Sequence, residues 1–497
     1  MITMKKVILY LIGFLFIANS CNSEPNSSLS GGDVNIFPDY TNVTVPSNIA
    51  PTNFIILDSA QKIYTILESG NIRIEKKGKK IRVPIRKWRE LTSQGKITVT
   101  VYEKKGTEWT KMKPFFINVT DEIDPFVTYR VIPPSFESFQ KLSIVQRNLT
   151  NFKEKTIYSN QMVAKGSTMQ CINCHSFKNW HTDDMQFHIR QQLGGTIIYS
   201  KGQLAKINLK TDSTLSAGVY PSWHPTHNYI AYSTNRTYQE LHTNHSNRVE
   251  VYDEYSDLIL YDPDNNAVSI IENDSTELEC FPYWAPDGKT LFYVSAHIGN
   301  PTLFYQLGGV SASPQSIRYN LYSKPFNPEN RSWGKKQLLI RADSMQKSIT
   351  LPRVSPDGRW MMFTMGNQGV FHIWHKDSEL YLMNLENGQY RSIDEINSSD
   401  VESYHSWSSS GKWVVFSTRR DDGIFTRLYL SYMSNDGHFS KPFPLPQKDP
   451  EFSRKFLYSF NIPEFTVEPV KVSAKVLASF IKANDAEPVS FEQKRGE

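Results

Sequence analysis

Short runs in which apolar and polar residues alternate recur along most of this chain, with turn residues between them. Four of these runs share one pattern and begin at Pro221, Pro282, Pro352 and His405. Each contains an apolar or aromatic position, a tight turn such as Ser-Pro-Asp-Gly, and an alternating stretch that ends in Ser or Thr. Proline presets φ at the first corner of such a turn, and glycine allows a positive φ at the second. The pattern therefore predicts tandem repeats of β-strands.

The spacing of the repeats predicts how the strands are arranged. The repeats start roughly 50 to 70 residues apart, which suits four-stranded propeller blades with insertions. Further strand candidates lie between them, for example at 257–262 and 379–385. We expect a six-bladed β-propeller over residues 126–465, of which five blades are recognisable. Residues 126–158, together with the end of the chain around 439–445, would complete the sixth blade and close the ring.

The segment ahead of the repeats alternates in the same way but does not repeat. Its alternating runs cover residues 53–57, 61–67, 96–102 and 114–119. Trp88 and Trp109 supply large apolar side chains between them. Period-two alternation predicts a β-sandwich of immunoglobulin-like or fibronectin-like type over residues 37–125. The chain as a whole is therefore predicted to be all-β, and we expect no chemistry in the sandwich.

The amino terminus has a different pattern. Two lysines precede an apolar run at 7–18, and small or polar residues follow before Cys21. This pattern is typical of a secretory signal peptide, here residues 1–20, and the run is too short to span a membrane. The cysteine after the small residues resembles the lipobox of bacterial lipoproteins, with Ala18 where Leu is usual. The resemblance implies that Cys21 is lipidated and anchors the mature chain to a membrane.

These features predict a compartment and two flexible segments. An ordinary signal peptide with a chance cysteine is the alternative to a lipid anchor. We expect a lipid-anchored protein of the bacterial cell envelope, on the outer membrane facing the periplasm. Residues 21–36, rich in Ser, Asn and Gly, are predicted to be a flexible tether. The tail at 466–497 is predicted to contain a short surface helix or to be disordered.

Composition excludes some classes of protein. The chain has 497 residues, of which 13% are aromatic, and this content argues against wholesale disorder. Four cysteines are too few for a disulfide scaffold. The formal net charge of +5 gives no argument for a nucleic-acid partner. Cys280 stands alone and is predicted to be a small buried side chain.

The other two cysteines form the one motif that indicates chemistry, Cys171-Ile172-Asn173-Cys174-His175. In an exported protein, Cys-x-x-Cys-His is typical of covalent c-type haem attachment. The thiols of Cys171 and Cys174 would form thioethers with the haem vinyl groups, and His175 would be the proximal iron ligand. We expect the motif on a loop at one end of an inner strand, in the first recognisable blade.

A second iron ligand could come from the residues that follow the motif. The candidates are His181, Met185 and His188. His188 is the first choice, because it lies on the predicted inner strand. A bis-histidine iron would suit electron transfer, whereas an open sixth site would suit ligand sensing or peroxide chemistry.

Three other interpretations of the two cysteines stay open. A disulfide would explain both thiols but not His175. A zinc site would need a second pair of ligands at comparable spacing. A thioredoxin-like redox pair would need the motif at the head of a helix in a βαβ unit, and its surroundings here read as strands.

The pattern W-x-P-D-G-x-x-x-x-F-x-S resembles the TolB-like, WD40-like propeller repeat of bacterial periplasmic proteins, over residues 171–463. A closer resemblance is to bacterial lipoproteins labelled TolB-like or cytochrome c biosynthesis proteins, in which such repeats follow Cys-x-x-Cys-His. It implies an anchored lipoprotein with one covalent haem c, for electron transfer or haem-dependent sensing in an envelope assembly. The alternative is a non-enzymatic scaffold that binds an envelope protein or peptide, with Cys171 and Cys174 as a structural or redox pair. We predict no catalytic residues.

Overall fold

The computed structural model describes residues 24–134, 141–163, 170–242, 247, 249–312 and 316–492. Within these residues the chain is nearly all-β, as predicted, with a few short helices. The predicted signal peptide at 1–20 and the predicted anchor Cys21 lie outside the described residues. No helix in this part of the chain is both long and apolar enough to cross a membrane.

The amino-terminal part contains two sheets and one helix. Its strands are β1 (Ser27–Ser30), β2 (Ile36–Phe37), β3 (Val43–Pro46), β4 (Phe54–Ile56), β5 (Lys62–Ser69), β6 (Ile72–Lys77), β7 (Lys80–Ile81), β8 (Ile97–Lys105), β9 (Glu108–Lys111) and β10 (Phe115–Thr120). A seven-stranded sheet contains β1, β3, β5, β6, β8, β9 and β10, and a three-stranded sheet contains β2, β4 and β7. The four predicted alternating runs correspond to β4, β5, β8 and β10. The immunoglobulin-like or fibronectin-like assignment stays a prediction.

Two features of this part differ from the sequence prediction. Helix α1 (Ile85–Thr92) buries Trp88 and Leu91 on one face, at the three-residue spacing of a helix. The alternating pattern of the sequence predicts instead that Trp88 is an apolar residue between strands. Part of the predicted flexible tether is also a strand, because β1 pairs in parallel with β9.

The remaining strands belong to the repeats. They are β11 (Phe126–Ile132), β12 (Ser143–Asn148), β13 (Glu154–Ser159), β14 (Gln170–Lys178), β15 (His181–Gln191), β16 (Gly195–Ser200), β17 (Gln203–Asn208), β18 (Val219–Trp223), β19 (Ile230–Leu241), β20 (Val249–Asp262), β21 (Ala267–Glu272), β22 (Glu277–Trp284), β23 (Thr290–His297), β24 (Asn320–Asn327), β25 (Ser332–Trp333), β26 (Gln337–Ile340), β27 (Ser348–Val354), β28 (Trp360–Gly366), β29 (Glu379–Asn384), β30 (Tyr390–Ser392), β31 (Glu402–Trp407), β32 (Trp413–Thr418), β33 (Arg427–Tyr432), β34 (Phe443–Pro444), β35 (Ser459–Thr466), β36 (Glu487–Pro488) and β37 (Ser490–Phe491). Short helices α2 (Pro301–Gln306), α3 (Gly309–Ala312), α4 (Phe452–Lys455) and α5 (Ala474–Ala483) lie among them.

These strands form six sheets in tandem. Sheet I contains β11–β13 and β35, sheet II β14–β17 and β36, and sheet III β18–β21 and β37. Sheet IV contains β22–β26, sheet V β27–β30, and sheet VI β31–β34. The inner strands of neighbouring sheets contact one another in the order β14, β18, β22, β27, β31, β35 and back to β14. The arrangement is therefore of the propeller type.

The strand that completes sheet I is not the predicted one. Residues 439–445 contain β34, which is the outer strand of sheet VI. Sheet I is completed by β35, which pairs antiparallel with β11. The segment after β35 lacks a tight turn of the kind that follows the inner strands of the four recognised repeats, and for this reason the sequence pattern did not predict it.

The tail also differs from the expectation of a surface or disordered segment. Helix α5 begins after Ser473, whose hydroxyl accepts a hydrogen bond from the Val476 amide. It buries Leu477 and Ile481 in the core shared by sheets I and II. The strands β36 and β37 then add in parallel to the outer edges of sheets II and III. The predicted helix is present, and the tail as a whole fastens three sheets together.

One hydrophobic core joins the amino-terminal part to the repeats. Phe54 and Trp88 pack in the same cluster as Trp413, Leu430 and Phe443 of sheet VI. Polar contacts cross the same boundary, since the Asp124 carboxylate accepts hydrogen bonds from the amide and hydroxyl of Ser409. The two parts therefore share their packing, and the predicted boundary near residue 125 stays a prediction.

Candidate functional site

Each of the six inner strands contains one residue with a positive φ. These residues are Cys174, Tyr220, Phe281, Leu351, Tyr404 and Ile462, with φ between 43° and 54°. The pairing register shifts at the same place in every strand, so each inner strand carries a β-bulge. Residues other than glycine hold this conformation at a cost on the order of 1–3 kcal/mol each. Six equivalent bulges thus fix the backbone of the six inner strands.

The residue after each bulge is a proline or a histidine. The prolines are Pro221, Pro282, Pro352 and Pro463, and the histidines are His175 and His405. Proline has no N–H to donate and is tolerated where a ladder is interrupted. The histidine of the Cys-x-x-Cys-His motif therefore occupies a position that the repeat itself defines.

The second residue after each bulge faces a central cavity of about 370 Å³. These six residues are Ser176, Ser222, Tyr283, Arg353, Ser406 and Glu464. The bulge residues, with the exception of Phe281, also line this central cavity. Tryptophans complete its walls, namely Trp180, Trp223, Trp284 and Trp407. The cavity is therefore concave, largely aromatic, and built from all six sheets.

Arg353 is the basic residue among those that line the cavity. Its guanidinium lies 4.7 Å from the ring centroid of Tyr283, and Nη1 donates to the carbonyl of Pro352 at 3.0 Å. In the described part of the chain it forms no ion pair with a carboxylate. Burial lowers the pKa of Arg353, which marks the desolvation of its charge.

Glu464 is the acidic residue of the cavity wall. Its Oε1 accepts a hydrogen bond from the amide of Phe177 at 3.0 Å. Burial is the largest cause of a raised pKa of about 8, opposed by that hydrogen bond and by the charge of Arg353. At neutral pH the carboxyl is therefore mostly protonated and leaves the charge of Arg353 largely unbalanced.

A tryptophan from the hairpin of sheet II closes one side of the cavity. The turn between β14 and β15 consists of Asn179 and Trp180, both with positive φ, as in a type I′ hairpin. The indole of Trp180 donates to the carbonyl of Trp407 at 2.7 Å. The indole of Trp407 in turn donates to the carbonyl of Arg353 at 3.0 Å. These bonds connect sheets II, VI and V along one wall.

The structure brings only two of the predicted haem residues to this cavity. Cys174 and His175 line it, and both are buried. Cys171 is partly buried and packs against the core of sheets I and II instead. His188 is on β15, the second strand of sheet II and not the inner strand, and its Nδ1 lies 3.0 Å from the Thr196 hydroxyl. The motif itself lies inside β14, not on a loop at its end.

The other two candidates for the distal position are also away from the cavity. His181 is exposed, with its Nδ1 3.8 Å from a carboxylate oxygen of Glu468. Met185 is buried in the core shared by sheets I and II. Cys280 is buried, as predicted.

His175 has unusual surroundings for a buried histidine. Neither of its ring nitrogens forms a hydrogen bond of ordinary geometry among the described residues, although weaker interactions with the backbone of Thr128 and Ile462 act to raise its pKa. Burial is the main cause that lowers its pKa to about 4, and the nearby charge of Arg130 lowers it further. The imidazole is therefore neutral at physiological pH. His405, at the equivalent position of sheet VI, lies with Nε2 2.9 Å from the carbonyl of Met362.

Covalent haem would need both thiols and the imidazole to reach one space. Cys174 and His175 reach the cavity, but Cys171 is not among the residues that line it and packs against a hydrophobic core instead. Both cysteines are free thiols. Among the described residues, no group of three or more His, Cys, Asp or Glu side chains is arranged to hold a metal ion. The folded residues do not fit a haem, and its attachment stays a prediction from the motif.

Sequence reasoning missed the two charged residues of the cavity. Arg353 and Glu464 stand at the same repeat position, directly after the Pro or His that follows each bulge. The sequence carries the signal in Pro-Arg-Val and Pro-Glu-Phe, which replace Pro-Ser-Trp and His-Ser-Trp. An alignment of the repeats at the proline would have found Arg353.

Comparisons with known proteins add little to the description of the cavity. No family model and no curated protein matches the chain. TolB from Acinetobacter baumannii is similar in structure, with a TM-score of 0.43 and 14% identity over 77% of this chain and 85% of that chain. An endo-arabinase from Bacteroides thetaiotaomicron has a TM-score of 0.27 and 11% identity over 53% of this chain and 89% of that chain. TM-scores this low carry no argument about fold or function.

Proposed function

We propose that this chain is a non-enzymatic binding protein, a closed six-bladed propeller whose central cavity receives a segment of a protein or peptide partner. The observation that carries the proposal is the convergence of six equivalent residues, one from each sheet, on a single cavity. The cyclic contacts of the inner strands support the closed ring. Loops and channel ends of such rings are concave, and concave sites are where ligands bind.

The side chains of the cavity have the character of a binding site. Aromatic rings supply apolar contact area at a low cost in side-chain entropy, and a few polar groups give specificity. Ser176, Ser222 and Ser406 keep the centre open, where Tyr283 fills the equivalent position in sheet IV. The cavity therefore has room for a side chain or a chain end of a partner.

The cellular setting is part of the proposal. The charged start, the apolar run and the small residues before Cys21 support an exported lipoprotein of the bacterial envelope. The partner would then be an envelope protein or peptide. Growth with labelled palmitate tests the anchor: the wild type is expected to incorporate label and Cys21→Ala to lose it. A labelled Cys21→Ala variant, or an unlabelled wild type, would contradict the anchor but not the cavity.

The cavity is tested by filling it. Ser406 is partly exposed, and Ser406→Tyr places there the residue that sheet IV already has at the equivalent position. Peptides are first selected from a random display library on the full chain, and their affinities for each variant are then measured by calorimetry. Loss of contact area and a steric clash are expected to weaken binding about tenfold or more.

The matched control is Ser213→Tyr, which adds the same side chain at an exposed turn away from the cavity. The proposal expects its affinities to equal those of the wild type. Selection that enriches no peptide, or peptides that bind Ser406→Tyr as well as the wild type, would overturn the proposal.

A further inference from the structure

The charge of the central cavity is concentrated in two residues on its wall. Among the described residues that line it, Arg353 and Glu464 are the Arg and Glu side chains, and the two histidines, His175 and His405, have lowered pKa values and are neutral at neutral pH. No atom of the Glu464 carboxyl lies within 4.0 Å of a guanidinium nitrogen of Arg353, so the two do not form an ion pair. Arg353 therefore contributes a positive charge that the wall does not neutralise by contact.

The surroundings of Arg353 leave most of its hydrogen-bonding capacity unused. A guanidinium has five N–H donors in a planar fork. The hydrogen bond found for it within the described chain goes from Nη1 to the carbonyl of Pro352. Tyr283 covers one face of the guanidinium at 4.7 Å. The guanidinium of Arg353 is thus held by an aromatic ring and a carbonyl, and its remaining N–H groups are available to a ligand.

An uncompensated charge in a partly buried aromatic cavity favours an anionic ligand. Attraction between charges is stronger where water is excluded than at the surface. Carboxylates match the guanidinium fork with two parallel hydrogen bonds, and such pairs are among the strongest in proteins. Glu464 does not compete for Arg353, because its raised pKa keeps it mostly protonated at neutral pH.

Aromatic residues of the cavity wall lie next to the charge of Arg353. Trp407 donates its indole N–H to the carbonyl of Arg353, so its ring lies along the same wall. Tyr283 and Tyr404 also line the cavity. A ligand whose anionic group reaches Arg353 therefore has aromatic side chains on several sides.

We propose that the central cavity recognises a carboxylate attached to an apolar or aromatic group, and that Arg353 binds the carboxylate. The inference rests on the proposed function, since it takes the cavity as the site where the partner binds. It adds the chemical class that the cavity selects. A peptide supplies such a carboxylate either at its carboxyl terminus or on an acidic side chain next to an aromatic residue.

Small probes of matched shape test the inference on the full chain. N-acetylphenylalanine carries a terminal carboxylate, and N-acetylphenylalaninamide is the same molecule without the charge. N-acetyl-aspartyl-phenylalaninamide carries the carboxylate on a side chain. Binding is measured by calorimetry at millimolar concentrations. We expect one of the acids to bind about tenfold or more tightly than the neutral amide, and the better acid identifies the source of the carboxylate.

Substitutions assign this preference to Arg353. Arg353→Gln is expected to abolish the difference between acid and amide, whereas Arg353→Lys keeps part of it because the charge remains without the fork. Arg359→Gln is the matched control, since Arg359 lies in the turn between two strands of the same sheet, with a side chain 47% exposed. It is expected to bind as the wild type does. Thermal unfolding checks that each variant is folded.

The results separate the inference from the proposed function. Equal affinity for acids and amide, no binding of either acid, or a preference that survives in folded Arg353→Gln would overturn the inference. If selected peptides still lose affinity for Ser406→Tyr in that case, the cavity remains the binding site and only the carboxylate is wrong. Failure of both tests would overturn the proposed function as well.

Discussion

The inner strands β14 and β27 have the same backbone and different chemistry. Both contain a bulge with positive φ, at Cys174 and at Leu351. The residues that follow are His175-Ser176 in β14 and Pro352-Arg353 in β27. The first strand carries the most conspicuous motif of the sequence, yet it brings a neutral imidazole and a serine to the cavity. The second has no motif and brings a full charge. The position of a residue within the repeat therefore predicts which side chains line the cavity better than the presence of a local sequence motif does.

The largest effect is expected from proline placed on either side of the bulge in β14. Ile172 pairs with Ile189 in the regular ladder, so Ile172→Pro should lower the free energy of unfolding by about 3 kcal/mol or more. His175 lies where four equivalent strands have proline, so His175→Pro should change it by about 1 kcal/mol or less. Denaturant unfolding measures both. Equal damage by the two variants would show that β14 is not equivalent to the proline-bearing strands.

Glu464 gives the next largest effect, and it depends on pH. Its folded pKa of about 8 lies above the ordinary value of 4.5, so the folded state holds a proton that the unfolded state has lost between these values. The contribution of Glu464 to the free energy of unfolding should therefore fall as pH rises from 4.5 to 8. Glu464→Gln removes this contribution. As pH rises, the free energy of unfolding of the variant should therefore exceed that of the wild type by a growing amount, up to a few kcal/mol, at about 1.4 kcal/mol for each pKa unit.

The pH dependence is measured by denaturant unfolding at several pH values. Glu329→Gln is the control, because Glu329 is exposed on a turn between two strands of sheet IV. Its profile should run parallel to that of the wild type. A Glu464→Gln profile that is also parallel would show that this carboxyl is already ionised in the folded protein.

The two cysteines of β14 should differ in their contribution to stability. Cys174→Ser buries a hydroxyl in place of a thiol and should lower the free energy of unfolding by about 1–2 kcal/mol. Cys171→Ser is at a partly buried position and should lower it less. Cys171 lies away from the cavity, so Cys171→Ser should bind the selected peptides as the wild type does. Thermal or denaturant unfolding and calorimetry measure these effects.

The same cysteines allow a direct test of haem attachment. After expression with a cytochrome c maturation system, the binding-protein proposal expects the wild type to show no Soret band and no haem-stained band on a denaturing gel. A stained band that disappears in the double serine variant would contradict it and favour the haem c prediction.

The smallest effect concerns the charge of β27. A buried charge without a counter-ion is unfavourable for folding. Arg353→Met keeps an unbranched apolar stem and should raise the free energy of unfolding by about 1 kcal/mol, while removing the preference for the acid probe. Destabilisation by Arg353→Met would show that the contact with Tyr283 outweighs the cost of the buried charge.

The sequence predicted much of the repeat architecture because its signal is local. A proline or histidine, an apolar or aromatic position and a tight turn, which is Pro-Asp-Gly in two of the repeats, lie within a dozen residues, and they marked β18, β22, β27 and β31. The strand β35 has the proline, at Pro463, without the turn. It is recognisable only from its pairing with β11, which no local pattern reveals. Helix α1 was not predicted for a similar reason. Its one apolar pair at helical spacing, Trp88 and Leu91, is too short a pattern to outweigh the surrounding alternation.

The candidate site was harder to predict, because a bulge breaks the period of two. Regular alternation would assign faces to Cys171, Cys174 and His175 by counting along the strand. That count puts Cys171 and Cys174 on opposite faces and Cys171 on the same face as His175. The positive φ of Cys174 breaks the alternation, so spacing alone could not show that His175 lines the cavity together with Cys174 and without Cys171. Arg353 and Glu464 belong to no sequence motif, and they line one cavity only because six strands converge there. The sequence could reveal this convergence only through an alignment of the repeats.

The pairing of β35 with β11 has a consequence for how the protein is made. Val127 of β11 pairs with Phe465 of β35, more than 300 residues later in the chain. Sheet I therefore keeps an open edge until β35 has been synthesised, and such edges promote aggregation. Contacts this distant in sequence also form slowly. This edge of β11 is thus exposed in the nascent chain while β14–β34 are made, and it is covered only when β35 follows them.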